Sequence, residues 1–335
     1  MNIYDVSQKA GVSIATVSRV INGNDNVSEK TRQKVLSVME EVGYTPNVFA
    51  RGLNLNTMQT IGIMCSDSSD TYLANAVYFL ERELRSHGYD SFLCCSGYEQ
   101  ETKENYFELL LSKRVDAIIL VGSSMLDLRE EKNNYIVSGA KKVPVMLMNG
   151  FLDRPGIYSV LCDDRQAVFE AASSFIKNGR KRILFLYRAH TYSGNEKLAG
   201  YKKALQKAGL PVDDTLIRQC PKTKHLYKVE AFLERLCADG VTFDAVIASE
   251  DFWAVGAVKY AKSHNLRIPE DISIIGYNNS VLAQCCEPEL TTLDNKVETL
   301  SMTTVNTLMQ VLNGKNVPKK TMITAELISR NTTDF

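Results

Sequence analysis

From Thr60 onward, short and nearly uninterrupted apolar runs alternate with amphipathic stretches. The runs are Ile61–Cys65, Ser91–Cys95, Ala117–Val121, Val143–Met148, Ser159–Cys162, Ile183–Tyr187, Leu216–Cys220, Ala245–Ala248 and Ile272–Gly276. Between most of them, apolar residues recur at helical spacing, over Ala74–His87, Lys103–Lys113, Arg165–Asn178, Leu198–Ala208, Tyr227–Cys237 and Trp253–Ser263. A strand that is apolar throughout has to be covered on both faces, and helices between such strands specify parallel sheets. The runs are too many for one compact sheet. The polar stretch Asp153–Tyr158, with its Pro and Gly, divides them into two halves of domain size. The expected class is α/β, with a two-lobed core of doubly wound parallel sheets.

Composition narrows the function. A chain of 335 residues suggests two or three domains. With 44% hydrophobic and 23% charged residues, extended disorder is excluded. No apolar run reaches the roughly 18 residues of a transmembrane helix, so no membrane partner is expected. The opening MNIYDVSQKAGVS lacks the apolar core of a signal peptide, and a cytoplasmic location is expected. The cysteines form no CxxC and the histidines are scattered, so no metal site is expected and the thiols are read as reduced. In the pairs Cys94–Cys95 and Cys285–Cys286, neighbouring side chains should face opposite ways. GxGxxG, P-loop, HExxH and GxSxG motifs are absent, which leaves no catalytic residues, no cofactor and no enzyme.

Net charge is zero, and residues 1–58 hold six basic against five acidic side chains. A nucleic-acid binder is usually more basic, so charge does not point to DNA. The residue pattern does. Asn2 can cap a helix with Asp5 facing back toward it, and Ile3, Val6 and Ala10 follow helical spacing. Gly11-Val12-Ser13 breaks that helix, and Ser13 caps a second over Ile14–Ile21 with Val17, Val20 and Ile21 inward. Ser28 caps a third, whose apolar face is Val35, Leu36, Met39 and Val42. Two short helices joined by a tight Gly-containing turn, plus a third, read as a helix-turn-helix domain. Such a domain lays its second helix in the DNA major groove. Ser13, Ile14, Ala15, Thr16, Ser18 and Arg19 would then face DNA. Arg19 can read guanine through two hydrogen bonds, while Ile14 and Ala15 can touch a thymine methyl. The hydroxyls can reach phosphates.

Residues Ile3–Ile63 closely resemble the N-terminus of the LacI/GalR family of bacterial transcriptional regulators. AGVS-x-ATVSRV-x-NG, NVSE-x-TR-x-KV, GY-x-PN-x-x-ARGL and T-x-GIM occur in the family's order and spacing. The resemblance implies that Ile14, Ala15 and Arg19 read bases and that Thr16 and Ser18 approach the backbone. It also implies hinge helices that pair in the minor groove, with Leu53 as the inserted wedge and Asn47 and Ala50 beside it on the DNA side. A helix of that length is marginal alone, and an apolar wedge kinks DNA by unstacking a base step. The implied organisation is a DNA-binding domain at 1–46, a hinge at 47–59 and an effector-binding, dimerising core at 60–335. Lobe one is expected at about 60–158 plus 291–318, and lobe two at about 159–290 plus 319–335. The implied fold resembles a periplasmic binding protein with a ligand cleft between lobes.

Open parallel sheets bind ligands beyond the C-terminal ends of their strands. The polar groups and aromatics there suit a small polar ligand, and Tyr72, Leu73, Asn149, Lys197, Glu250, Trp253 and Asn278 are the candidate effector-binding residues. Trp253, which opens a helix, is equally well read as core. Asp67, Arg188 and Asn279 are read as solvated loop residues. Lys197 stands where the family usually has an effector-binding arginine, and Asn278 where sugar-responsive members carry an aspartate. Lys lacks the arginine fork, and Asn both donates and accepts.

The expected function is a repressor that binds a palindromic operator in double-stranded DNA as a homodimer. Its small-molecule effector is a carbohydrate or related polar metabolite. No leucine heptads follow Arg330–Phe335, so a dimer is expected rather than a coiled-coil tetramer. A cytosolic solute-binding sensor of the same two-lobe fold is the alternative for residues 60–335.

Overall fold

The computed structural model describes residues 2–21, 26–44, 57–221 and 223–335. The N-terminal unit holds three helices, Ile3–Ala10, Ile14–Ile21 and Glu29–Glu41. Asn2 starts the first with a reciprocal cap. Its side chain accepts from the Tyr4 and Asp5 amides, while its own amide donates to Asp5 Oδ2 at 2.8 Å. Gly11, at φ +60°, ends that helix in a left-handed turn that costs a glycine least. The Ser7 hydroxyl then donates to the Val12 carbonyl at 2.7 Å and fixes the turn between helices. Val6, Ala10, Val17, Val20 and Val35 form the small core. Leu36, expected on the buried face, is exposed instead. It lies about 100° around the helix from Val35 (3.6 residues per turn), which turns it away from that core.

The larger unit contains two six-stranded sheets. The first is built from β1 (Thr60–Cys65), β2 (Asp90–Cys95), β3 (Ala117–Val121), β4 (Val145–Met148), β5 (Ile157–Cys162) and β11 (Lys320–Ile323). The second is built from β6 (Ile183–Tyr187), β7 (Ile217–Gln219), β8 (Ala245–Ala248), β9 (Ser273–Tyr277), β10 (Thr291–Asp294) and β12 (Glu326–Ile328). Their orders are β11-β5-β4-β3-β1-β2 and β12-β10-β9-β8-β6-β7. Pairing is parallel from β1 through β3, β4 and β5 to β11, with Ile61 opposite Ala117 and Val145 opposite Ile157. It is also parallel among β6–β10. The exception is β12, which joins β10 antiparallel.

Alternation across the strands fills both faces. In the second lobe Ile183 and Phe185 enter one core with the Asp164–Lys177 and Tyr192–Lys207 helices, while Leu184 and Leu186 enter another with Leu226–Ala238 and Asp251–Ser263. In the first lobe Ile61, Ile63 and Cys65 pack with residues of Thr71–Ser86 and Val297–Leu312. The Asp164–Lys177 and Tyr192–Lys207 helices meet at Gly200, where a Cβ would lie 2.2 Å from the Arg165 carbonyl oxygen. Any side chain there would drive them apart.

Sheet membership corrects the expected lobe boundaries. Residues 159–162 belong to β5 in the first sheet, so the first crossing comes after Cys162 rather than near 158. The Pro/Gly stretch that suggested the earlier boundary is the loop between β4 and β5, inside one lobe. Strand β10 lies in the second sheet, not with lobe one, and β11 lies in the first, not with lobe two. The C-terminal stretch thus holds two short strands, β11 and β12, one per sheet. The chain crosses between the sheets after β5, between β10 and the Val297–Leu312 helix, and between β11 and β12. Among the described residues no helix is long and apolar enough to cross a membrane.

Candidate DNA-reading surface and effector cleft

The Ile14–Ile21 helix divides its residues cleanly. Val17 and Val20 are buried in the three-helix core. Ser13, Ile14, Ala15 and Arg19 are exposed, while Thr16 and Ser18 are half-buried. Ser13 Oγ accepts from the Thr16 amide at 3.2 Å and also contacts the Thr16 hydroxyl at 2.9 Å, which fixes the start of the helix. Ile14, Ala15 and Arg19 are exposed and none belongs to the buried core of this unit. Ala15 and Arg19, four residues apart, share a helix face that offers an apolar contact and a forked donor, as base-edge reading requires. Asn47, Ala50 and Leu53 lie outside the described residues.

In the larger unit, the strand ends of both sheets contribute to one polar network. It begins at Asp70, whose Oδ1 accepts from the Leu73 amide at 3.1 Å and so starts the Thr71–Ser86 helix. That cap places Tyr72 in the first turn. The Tyr72 hydroxyl accepts from Asn149 Nδ2 at 2.6 Å. Asn149, just past β4, has φ +60° and is buried; its Oδ1 accepts from the Cys162 amide at 2.9 Å. Cys162 Sγ lies 3.5 Å from the Tyr277 hydroxyl of the other lobe. That hydroxyl donates to Asp164 Oδ1 in a short hydrogen bond. Lys197 Nζ sits 3.4 Å from the centre of the Tyr277 ring and donates to the Ser249 carbonyl at 3.2 Å.

Next to Ser249, Glu250 begins the Asp251–Ser263 helix and accepts from Arg188 at 3.2 Å. Arg188 also donates to Asp70 Oδ2 at 2.8 Å and to the Tyr98 hydroxyl at 2.6 Å, which returns the network to the first lobe. Burial raises the Asp164 carboxyl above its ordinary range, against the lowering pull of Lys197. Burial raises Glu250 as well, against the charge of Arg188. Burial alone would lower the Arg188 guanidinium, but the charges of Glu250 and Asp70 and the Tyr98 hydroxyl reverse this and hold it firmly protonated.

The structure thus brings Tyr72, Asn149, Lys197 and Glu250 into one network. Asn278, at φ +97° just beyond β9, holds Asn295 instead, accepting from its Nδ2 at 2.9 Å. Leu73 is 5% exposed and packs in the first-lobe core, and Trp253 is 3% exposed and packs in the second-lobe core with its ring edge-on to Phe252, as its alternative reading as core had it. The solvated-loop readings of Asp67, Arg188 and Asn279 are overturned. Arg188 spans the lobes, Asp67 pairs with Lys224 at 3.0 Å, and Asn279 accepts from Arg330 at 2.7 Å. Asp164 and Tyr277 are not among the candidate residues, although both stand at strand ends, the signal that singled out the others.

Asp251, the first residue of the helix that follows Glu250, is a buried tie. It accepts from the Ser280 amide and hydroxyl at 2.6 and 2.8 Å and from the Thr292 hydroxyl at 2.5 Å. The eight cysteines are all free of disulfides. Cys94 is buried beside an exposed Cys95, and Cys286 beside an exposed Cys285.

A helix-turn-helix unit combined with a two-lobed, parallel-sheet core whose polar groups meet between the lobes defines a ligand-responsive DNA-binding regulator. The chain belongs to the LacI family. The family model described as bacterial regulatory proteins, lacI family, matches residues 2–47. The one described as periplasmic binding proteins and sugar binding domain of LacI family matches residues 58–331. An HTH-type transcriptional regulator of Lachnoclostridium phytofermentans is 62% identical over 335 residues, covering 100% of both chains. Catabolite control protein A of Priestia megaterium is 33% identical over 95% of this chain and 94% of its own. Among solved structures, the lac repressor dimer bound to operator and the anti-inducer ONPF matches with a TM-score of 0.89 at 25% identity, covering 99% of this chain and 98% of that one. The transcriptional regulator CelR–cellobiose complex matches with a TM-score of 0.73 at 25% identity, covering 99% and 100%. The chain is accordingly a DNA-binding transcriptional regulator.

Proposed function

We propose that this regulator is a non-enzymatic, cytoplasmic repressor that binds a palindromic operator as a homodimer and releases or grips it according to a small polar effector in the interlobe cleft. Ile14, Ala15 and Arg19 read base edges, and Ser13, Thr16 and Ser18 approach phosphates. Asn47, Ala50 and Leu53 act in the minor groove, Leu53 as the wedge. The observation that carries the DNA reading is the split of the Ile14–Ile21 helix into buried Val17 and Val20 and exposed Ile14, Ala15 and Arg19.

Tyr72, Asn149, Lys197 and Glu250 are the proposed effector contacts, with Asp164, Arg188 and Tyr277 added from the network. Hydroxyl-bearing ligands need donors and acceptors side by side, and the cleft offers both. The cellobiose and ONPF of the related structures support a carbohydrate-like effector. A thermal-shift screen of sugars, sugar phosphates, nucleosides and amino acids tests the proposal. A compound that raises the melting temperature should change operator affinity by about 5- to 150-fold, the coupling usual between linked sites. Stabilising compounds that leave operator affinity untouched would contradict effector control.

A further inference from the structure

The two lobes of the core are joined by charges that belong to the chain itself. The loop after β1 presents two carboxylates, Asp67 and Asp70, toward the second lobe. Each takes a cation from that lobe: Asp70 from Arg188 at 2.8 Å, and Asp67 from Lys224 at 3.0 Å. Arg188 is further fixed by Glu250 at 3.2 Å on its own lobe and by the Tyr98 hydroxyl at 2.6 Å on the other. Its side chain is 39% exposed, whereas Asp70 is 17% and Glu250 26% exposed. The guanidinium therefore reaches in from the rim and binds two carboxylates that are largely withdrawn from water.

We propose that these ion pairs form an electrostatic latch that holds the lobes closed before any effector arrives, with Arg188 as its positioning residue. Guanidinium suits the role because its planar fork engages several oxygens at once. A carboxylate on each side of it makes the contact depend on both lobes being in place. The latch deepens the reading of this cleft as the effector site and rests on that reading: an entering effector has to exchange its own polar groups for those of Arg188. Its affinity is then set by the hydrogen bonds it makes in the cleft, less the strength of the ion pairs it displaces. The second pair, with Lys224 73% exposed, is the more easily screened.

Hydrogen exchange of the full chain, without DNA or effector, tests the latch. Arg188→Gln should raise amide exchange in residues 66–73 and 97–99 by roughly three- to tenfold, with the helices beneath unchanged, because only a local opening is released. Asp70→Asn should raise it in the same segments, and the double variant should exceed the larger single effect only slightly, as expected for partners in one contact. Arg188→Lys should recover only part of the protection. The unsubstituted chain provides an arm that depends on no variant. Raising NaCl from about 0.1 M to about 1 M shortens the Debye length from about 10 Å to about 3 Å, and exchange in the same segments should rise. Exchange that is indifferent to both Arg188→Gln and salt, or strictly additive effects of the two substitutions, would overturn the latch. Such a failure leaves effector binding and its coupling to DNA open to their own test, and the absence of any effector would leave the latch result intact.

Discussion

Arg19→Ala should abolish most discrimination between operator and random DNA while leaving the protein folded. The side chain is exposed on the Ile14–Ile21 helix, whose packing residues are Val17 and Val20. Removing it should therefore cost the three-helix core little. In the major groove, a forked contact to guanine is worth about 1–3 kcal/mol of discrimination. A dimer on a palindrome makes the contact twice, at sites far enough apart to act independently, so the loss should be about 2–6 kcal/mol in specific binding. Nonspecific affinity should fall only slightly, since it depends on phosphate contacts spread over the interface. Fluorescence anisotropy on operator and scrambled duplexes at matched salt measures both. An unchanged ratio between the two duplexes would remove Arg19 from the base-reading set.

Lys197→Met should destabilise the core by about 1–3 kcal/mol at neutral pH, the cost of leaving buried polar partners without their donor. Lys197 is 7% exposed and Asp164 4%. The two are joined through the Tyr277 ring and hydroxyl. With the ammonium gone, Asp164 remains in a site that already raises its carboxyl through burial. A carboxyl whose folded value lies above its unfolded one adds stability that is complete below the unfolded value and lost as pH rises through the folded one. The deficit of the variant relative to the parent should therefore be smaller at acidic than at neutral pH, because burial makes Asp164 take up its proton more readily in the folded state. Urea unfolding at the two pH values reads the difference directly. A deficit of equal size at both would mean that Lys197 serves through its packed methylenes and not its charge.

The periodicities carried most of the architecture. The apolar runs became β1, β3, β4, β6 and β8 because strands buried on both faces tolerate little else, and the three N-terminal helices followed from their caps and spacing. Helix starts were harder to read. Asp70 and Thr191 cap the Thr71–Ser86 and Tyr192–Lys207 helices, and each adds a turn ahead of the apolar pattern. Those added turns hold Tyr72 and Lys197, so part of the site falls where hydrophobic spacing is silent. Apolar residues in such turns, like Leu73 and Trp253, still obey the helix and enter the core. The lobe boundaries were misplaced because a Pro/Gly loop looks the same within a lobe as between lobes. Pairings such as Arg188 with Asp70, 118 residues apart, leave no local trace, and a loop arginine gives no sign of whether it meets water or a carboxylate from another sheet. Lys197, at the position of an effector-binding arginine, is also stacked on Tyr277 and tied to the Ser249 carbonyl, partners that spacing along the chain does not reveal.

The central claim is that this chain reads a symmetric DNA sequence through two copies of one helix. Selection of full-length protein on a random duplex library tests it most directly. The enriched sites should form an inverted repeat, with a guanine at one fixed position of each half-site that loses its preference when the selection is repeated with Arg19→Ala. Enrichment of no sequence, or of a single asymmetric site indifferent to Arg19→Ala, would contradict the account.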